Sequence, residues 1–186
     1  MYDSDKKLVK GFKYKSSKQN IIKQPIHVRH QGKDFIVIAA GNQLKLLDRR
    51  GNIRVKVKES IDFSNESIYF YNSLFTTTNA NGELVRVNTK GNVSRQNLGL
   101  DQNHAITSTS KTLVTRSENR LTIKSNSIDL DYGSYTPPSI FYLKDNQVVD
   151  ASKNDDRSAL AAELDWQIGS RWFAHTQAQV STITDR

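Results

Sequence analysis

The stretch LLDRRGNIRVKV at residues 46–57 is echoed about forty positions later by VRVNTKGNVSRQ at residues 85–96. Leu44 aligns with Leu84, Asp48 with Asn88, Gly51 with Gly91 and Ile53 with Val93, at one offset of 40 throughout. In each copy an apolar alternating run ends at Asp48 or Asn88, turns through Gly51-Asn52 or Gly91-Asn92, and resumes at Ile53 or Val93. Gly, Asn and Asp tolerate the backbone conformations that tight hairpins demand, so the chain reverses at the same point of each repeat. A repeated hairpin cannot bury its apolar face alone; neighbouring copies have to stack.

The surrounding text supplies the strands. IHVRH, FIVIAA, LKLLD and IRVKV are separated by QGKD, GNQ and RRGN, which predicts a four-stranded meander over residues 26–57. SIYFYN, SLFTTT, ELVRV and VSRQNL repeat it, and AITSTS, TLVTRSEN, RLTIKS and SIDLDYG form a shortened third copy, with Leu121 standing 37 residues after Leu84. YDSDKKLVKGF reads as the last hairpin of a preceding unit and PPSIFYLKDNQ as the first strand of a following one. Period-two alternation rich in β-branched residues sets a helical repeat aside. The expected fold class is all-β: an incomplete β-propeller of about three four-stranded antiparallel blades. A β-sandwich also accommodates seven or more antiparallel strands, and the constant register of the Asp/Asn-x-x-Gly-Asn hairpin is what favours blades.

At 186 residues the chain is long enough for one domain with a proper core. It has no cysteine, which removes disulfides, thiolate catalysis and cysteine metal sites together. No apolar run is long enough for a transmembrane helix. Charges stand where the apolar core of a signal peptide would be, so the targeting segment of an exported parent is expected to be missing from this chain. The net charge is +8 and unevenly placed: 23 Lys/Arg face 12 Asp/Glu over residues 1–144, against 4 and 7 over residues 145–186. The expected organisation is blades over residues 1–145, a polar junction over 146–157 and an amphipathic β-hairpin over 158–186, the last a segment open to separate origin.

In that tail Leu160, Ala162, Leu164, Trp166 and Ile168 alternate with Ala161, Glu163, Asp165 and Gln167; after Gly169-Ser170-Arg171, Trp172, Ala174, Thr176, Ala178 and Val180 alternate with Phe173, His175, Gln177, Gln179 and Ser181. Two arms with a tryptophan beside the turn in each fit a transmembrane β-hairpin: apolar residues toward lipid, polar ones inward, aromatics at the interface. An amphipathic hairpin laid on a soluble core has the same alternation.

The blades DFIVIAAGNQLKLLDRRGNIRVKV and SLFTTTNANGELVRVNTKGNVSRQNLGL resemble quinoprotein-like or WD-repeat-like bacterial propellers, and more closely the C-terminal region of long bacterial proteins, some of them labelled ribonuclease HII. Residues 158–186 resemble a hairpin of the lipopolysaccharide-assembly barrel of the outer membrane. The matching motifs are turns, which inform about fold and say little about activity.

Chemistry is thinly represented. His27 and His30 in HVRH lie at i and i+3 of a strand and are expected on opposite faces, unable to share a metal ion. Asp129 and Asp131 open a calcium-loop spacing whose later ligands are missing. Asp101, Asp129 and Asp131 would have to converge for the metal-dependent hydrolase that the ribonuclease label implies. No catalytic, cofactor-binding or metal-ligating residue is assigned, and no cofactor is expected. Asp48, Gly51, Asn52, Asn88, Gly91 and Asn92 are read as structural turns. Arg49, Arg50, Arg54, Lys56 and Lys58 are the candidate polyanion contacts, with Arg54, Lys56 and Lys58 expected on one face of a strand. KKLVKGFKYKSSK, with six lysines around Phe12 and Tyr14, offers aromatics for base stacking. The favoured function is a non-enzymatic binding or scaffold module, part of a larger bacterial envelope protein, whose blade loops recognise a protein partner. The alternative is nucleic acid or another polyanion on the basic stripe, and a membrane enters only if the tail belongs to an outer-membrane barrel. The expected compartment is the periplasm or cell envelope, with the cytoplasm left open.

Overall fold

A computed structural model describes residues 5–7, 9–143, 146–153 and 163–165. Every regular element among them is a β-strand, and the strands form four separate antiparallel sheets, none of them closed. The chain is an all-β, incomplete propeller-like fold. It divides into two compact units, residues 1–99 and 100–186, each carrying two sheets.

In the first unit, β1 (Ile26–His30), β2 (Lys33–Ala40), β3 (Gln43–Leu47) and β4 (Ile53–Lys56) form one meander. β5 (Tyr69–Tyr71), β6 (Leu74–Thr78), β7 (Glu83–Val87) and β8 (Val93–Asn97) form the next. Phe35, Val37, Ala39, Leu44 and Leu46 of the first sheet share one core with Phe75, Val85 and Val87 of the second. Aromatic rings line that core: Phe35 and Phe70 both lie against Phe75, with centroids 5.6 and 5.1 Å away.

β2 is buried along most of its length, which is why FIVIAA reads as a continuous apolar run. Its second face carries Ile36, Ile38 and Ala40, which pack with Leu47 under Phe12 and Tyr14. The N-terminal segment therefore covers the outside of this sheet. Among its described residues it runs as turns and irregular chain, tied on by Lys13 N donating to Arg50 O (2.8 Å), and it contains no strand up to the isolated bridge of Ile21 with Ala40. Part of the YDSDKKLVKGF stretch expected as a hairpin lies outside the described residues, and Phe12 and Tyr14 find apolar surface to occupy.

In the second unit, β9 (Ala105–Ser108), β10 (Leu113–Ser117), β11 (Arg120–Ile123) and β12 (Asn126–Asp129) form the third meander. β13 (Ser139–Leu143), β14 (Asn146–Asp150) and β15 (Glu163–Asp165) form a three-stranded sheet. Val114, Leu121 and Ile123 pack with Val149 and Ala151. Gln147, 5% exposed, is satisfied by Thr112 Oγ1, which donates to its Oε1 at 2.7 Å.

β13 is the strand expected in PPSIFYLKDNQ. β14 occupies the start of the stretch expected as a polar junction, because Val148 and Val149 are buried on its two faces. Of the expected C-terminal hairpin, residues 163–165 are seen as β15, paired with β14 through Val149 and Leu164; the rest of 158–186 lies outside the described residues.

Leu44, Leu84 and Leu121 each stand second in the third strand of their sheet, 3%, 0% and 0% exposed. Equivalent positions in three consecutive meanders account for the 40- and 37-residue offsets. The turn glycines fix how two of the sheets meet. Gly91 has φ +89°, and a Cβ there would come within 2.8 Å of the Lys56 carbonyl oxygen and 2.9 Å of Val55 Cγ1 on β4. The second sheet's turn is thus seated against the first sheet's last strand.

Gly91→Ala therefore meets both a left-handed backbone and a backbone obstacle. Gly32→Ala meets a positive φ alone, since nothing lies within 4 Å of its Cβ position. The expected cost is about 1 kcal/mol for Gly32→Ala and about 2 kcal/mol or more for Gly91→Ala, read from urea unfolding; equal costs would remove the packing role of the turn.

Candidate functional site

One hydrogen-bond pattern recurs three times in the first unit. Asp48 Oδ1 accepts from the amides of Arg50 (2.8 Å) and Asn52 (2.9 Å), and Asn52 Nδ2 donates to Asp48 Oδ2 (2.9 Å). Asn88 Oδ1 accepts from the amides of Lys90 (2.9 Å) and Asn92 (3.0 Å). Asn79 Oδ1 accepts from the amides of Asn81 (3.1 Å) and Glu83 (2.8 Å). In all three the backbone closes the same way, with the glycine amide of Gly51, Gly91 or Gly82 donating to the Asx carbonyl. A side-chain oxygen that satisfies two amides of its own loop holds the turn without help from the sheet. The Asn79 copy carries the same Asn-x-x-Gly signal but ends in Glu83 rather than Asn, and so falls outside the spacing of 40.

The β7–β8 turn brings Thr89 and Lys90 to the rim of a groove of about 350 Å³. His30 and Lys33 enter it from β1 and the start of β2, Arg54 from β4, and Phe35 forms its floor. His30 meets the ring of Phe70 edge-on at 5.3 Å, while His27 Nε2 lies 3.2 Å from Asp34 Oδ1. The two histidines point to opposite faces of β1, as the alternation predicts.

Arg54 owes its position to a bulge. Lys45 pairs with Lys56 and Leu46 with Val55, but Leu47 pairs with Ile53, leaving Arg54 as the extra residue. Its Nε donates to Asp34 O at 2.9 Å and its guanidinium stands 5.5 Å from the Phe35 ring centroid. Lys56 is cross-strand from Lys45, whose Nζ donates to Tyr14 OH at 3.1 Å on the sheet's other face. The one-face stripe of Arg54, Lys56 and Lys58 expected from strand alternation is therefore divided: Arg54 faces the groove, Lys56 shares the face of Lys45, and Lys58 lies beyond the strand. Arg49 and Arg50 are exposed in the β3–β4 turn, and neither lines the groove.

Two of the three carboxylates offered for metal chemistry are engaged elsewhere. Asp129 pairs with Arg120 at 2.8 Å, and that hydrogen bond holds its carboxyl below the usual range. Asp101 accepts from the amides of Asn103 (2.7 Å) and Glu118 (2.6 Å). Among the described residues no three His, Asp or Glu side chains come within reach of one ion. Sequence reading also passed over Lys23, a half-buried lysine whose ammonium donates to the carbonyl oxygens of Ser64 (2.6 Å) and Glu66 and lies 5.6 Å from the Phe63 ring. Burial lowers its pKa, partly opposed by the Glu66 carboxylate.

Asp48 and Asn88 differ in one respect: Asp48 titrates. Its carboxyl is held below the ordinary value of 3.8, first by the side-chain amide of Asn52 and then by the backbone amides of Asn52 and Arg50. A depressed folded-state pKa adds stability above the unfolded value, and that stability is lost as pH falls through the folded one. Asp48→Asn should keep the turn, as Asn88 does, and flatten the loss of stability below about pH 4; Asp48→Ala should lower the thermal midpoint at neutral pH. Acid titrations of the midpoint that coincide for wild type and Asp48→Asn would contradict this account.

No family model matches the chain. One stretch of 47 residues is 72% identical to the LPS-assembly protein LptD of Pseudoalteromonas atlantica (strain T6c / ATCC BAA-1087). The match takes in 25% of this chain and 6% of that protein, so the chain is similar to a small part of a much longer relative.

Proposed function

We propose that the chain is a non-enzymatic binding or scaffold module of a bacterial envelope protein that engages a protein partner through its blade loops. The observation that carries this reading is the threefold Asx turn. Loops pre-set by their own side chains lose little entropy on binding, which is the condition under which a loop on a rigid sheet makes a good contact surface. Arg49 and Lys90 lie in two such turns, both exposed. The carboxylates of Asp101 and Asp129, each with a structural partner, also favour binding over hydrolysis.

The likeness to an LPS-assembly protein supports an envelope setting. On this reading the blades belong to a longer envelope protein. The nucleic-acid alternative needed a continuous stripe with stacking aromatics. It is weakened by the bulge at Arg54 and by Phe12 and Tyr14 lying on the core.

A photo-crosslinking residue placed at Lys90 or Arg49 in the bacterium that encodes the chain should give one discrete adduct with an envelope protein. The same residue at Ser127, exposed on the edge strand β12, should not. Adducts of equal intensity from all three positions, or recovery of the chain in the cytoplasmic fraction, would overturn the reading.

A further inference from the structure

The groove beneath the β7–β8 turn has a chemistry that loop-mediated partner binding does not use. Three separate elements bring Lys33, Arg54 and Lys90 to one concavity, with Thr89 and His30 between them. Among the described residues none of the three cations has a carboxylate within ion-pair distance. Asp34, next to Lys33, is turned away to His27 and Arg29, at 3.2 and 3.6 Å, and Asp48 feels the Arg54 charge without reaching ion-pair distance. Like charges gathered over a low-dielectric floor repel one another, and an anion placed among them relieves that repulsion.

Arg54 is also oriented in advance. Its Nε is held by the Asp34 carbonyl and its plane lies near the Phe35 ring, 2% exposed. Neither of its terminal nitrogens donates to a protein group among the described residues, so the edge suited to bidentate recognition of an oxyanion is available. The Asn88 turn places the Lys90 ammonium and the Thr89 hydroxyl opposite, and Gly91 keeps that turn pressed on β4.

We propose that this groove is a binding site for the phosphate group of a small phosphate ester. The phosphate would sit between the Arg54 fork, Lys33 and Lys90, with Thr89 donating a further hydrogen bond. At about 350 Å³ the groove lies at the small end of ligand pockets and leaves room for a sugar-sized body beside the phosphate. Gln31 and Val55, on the same wall, offer that body one amide and one apolar contact. The proposal is independent of the partner reading, since its probes contain no protein.

The test is calorimetric titration of the full chain at low salt with glucose 1-phosphate, inorganic phosphate and a single-stranded decanucleotide. Saturable one-to-one binding of glucose 1-phosphate, with inorganic phosphate competing, is expected. Arg54→Gln and Lys90→Gln should each weaken it about tenfold, as loss of a charge-assisted hydrogen bond would. Lys58→Gln, outside the groove, should leave it unchanged. Lys90 is exposed and makes no side-chain contact in the core, so its variant reports binding even if Arg54→Gln perturbs β4. Absence of saturable binding by either phosphate probe, equal weakening by Lys58→Gln, or binding of the decanucleotide alone would each overturn the proposal.

Discussion

A single side-chain oxygen that accepts two amides of its own loop is the interaction on which the rest of the first unit depends. At Asp48 and Asn88 it fixes where the chain reverses and hence which residue of the next strand faces which of the last. Because side chains alternate with period two, a slip of one residue would take Leu44 or Leu84 off its buried face and put Lys45 or Glu83 there. The turn thus sets register before any core forms. The core then rewards that register by burying both leucines almost completely. The same loop, once rigid, can be leaned on another sheet, and Gly91 against Lys56 and Val55 is where that happens.

The bulge in β4 is the second determinant, and it works against the plain alternation of IRVKV. Without it Arg54 and Lys56 would share a face, two strong charges exposed in line. With it the strand takes up one extra residue, and Arg54 crosses to the inner side near the aromatic floor. A guanidinium tolerates that place because its stem and flat face pack on a ring while its rim stays wet. A lysine there would lose the stacking and the fork. Placement of Arg54 is therefore a property of backbone geometry that the order of residues alone does not display.

That contrast shows what was legible in the sequence. Gly, Asn and Asp at fixed spacing are local signals with local causes, so the meanders, the turn positions and the equivalence of Leu44, Leu84 and Leu121 could be read directly. The division of the basic stripe could not, since a bulge depends on how two strands fit and leaves no composition of its own. The groove was also hidden: His30, Lys33, Arg54 and Lys90 span four elements and sixty residues, and only stacking of two sheets brings them together. The Asn79 turn lay between these cases. Its Asn-x-x-Gly pattern is plain, yet it sits one hairpin earlier than the repeat and escapes a search by offset.

The two sheets of the first unit solve burial of their second faces differently, and the difference explains the lysine-rich N-terminal segment. In β6 the residues opposite Phe75 are Thr76 and Thr78, both 0% exposed, with Thr78 bonded to Ser64 at 2.7 Å; that face is polar and satisfied by the loop beside it. In β2 the corresponding residues are Ile36 and Ile38, which need an apolar cover. Phe12 and Tyr14 supply it, and Lys13 and Lys15 beside them alternate outward to water. Lys45 completes the contact by resting 5.4 Å from the Tyr14 ring centroid while donating to its hydroxyl. A basic segment with interleaved aromatics looks like a nucleic-acid binder when its aromatics are free. Here burial of Ile36 and Ile38 has claimed them, and the charge that remains is what keeps the cover soluble.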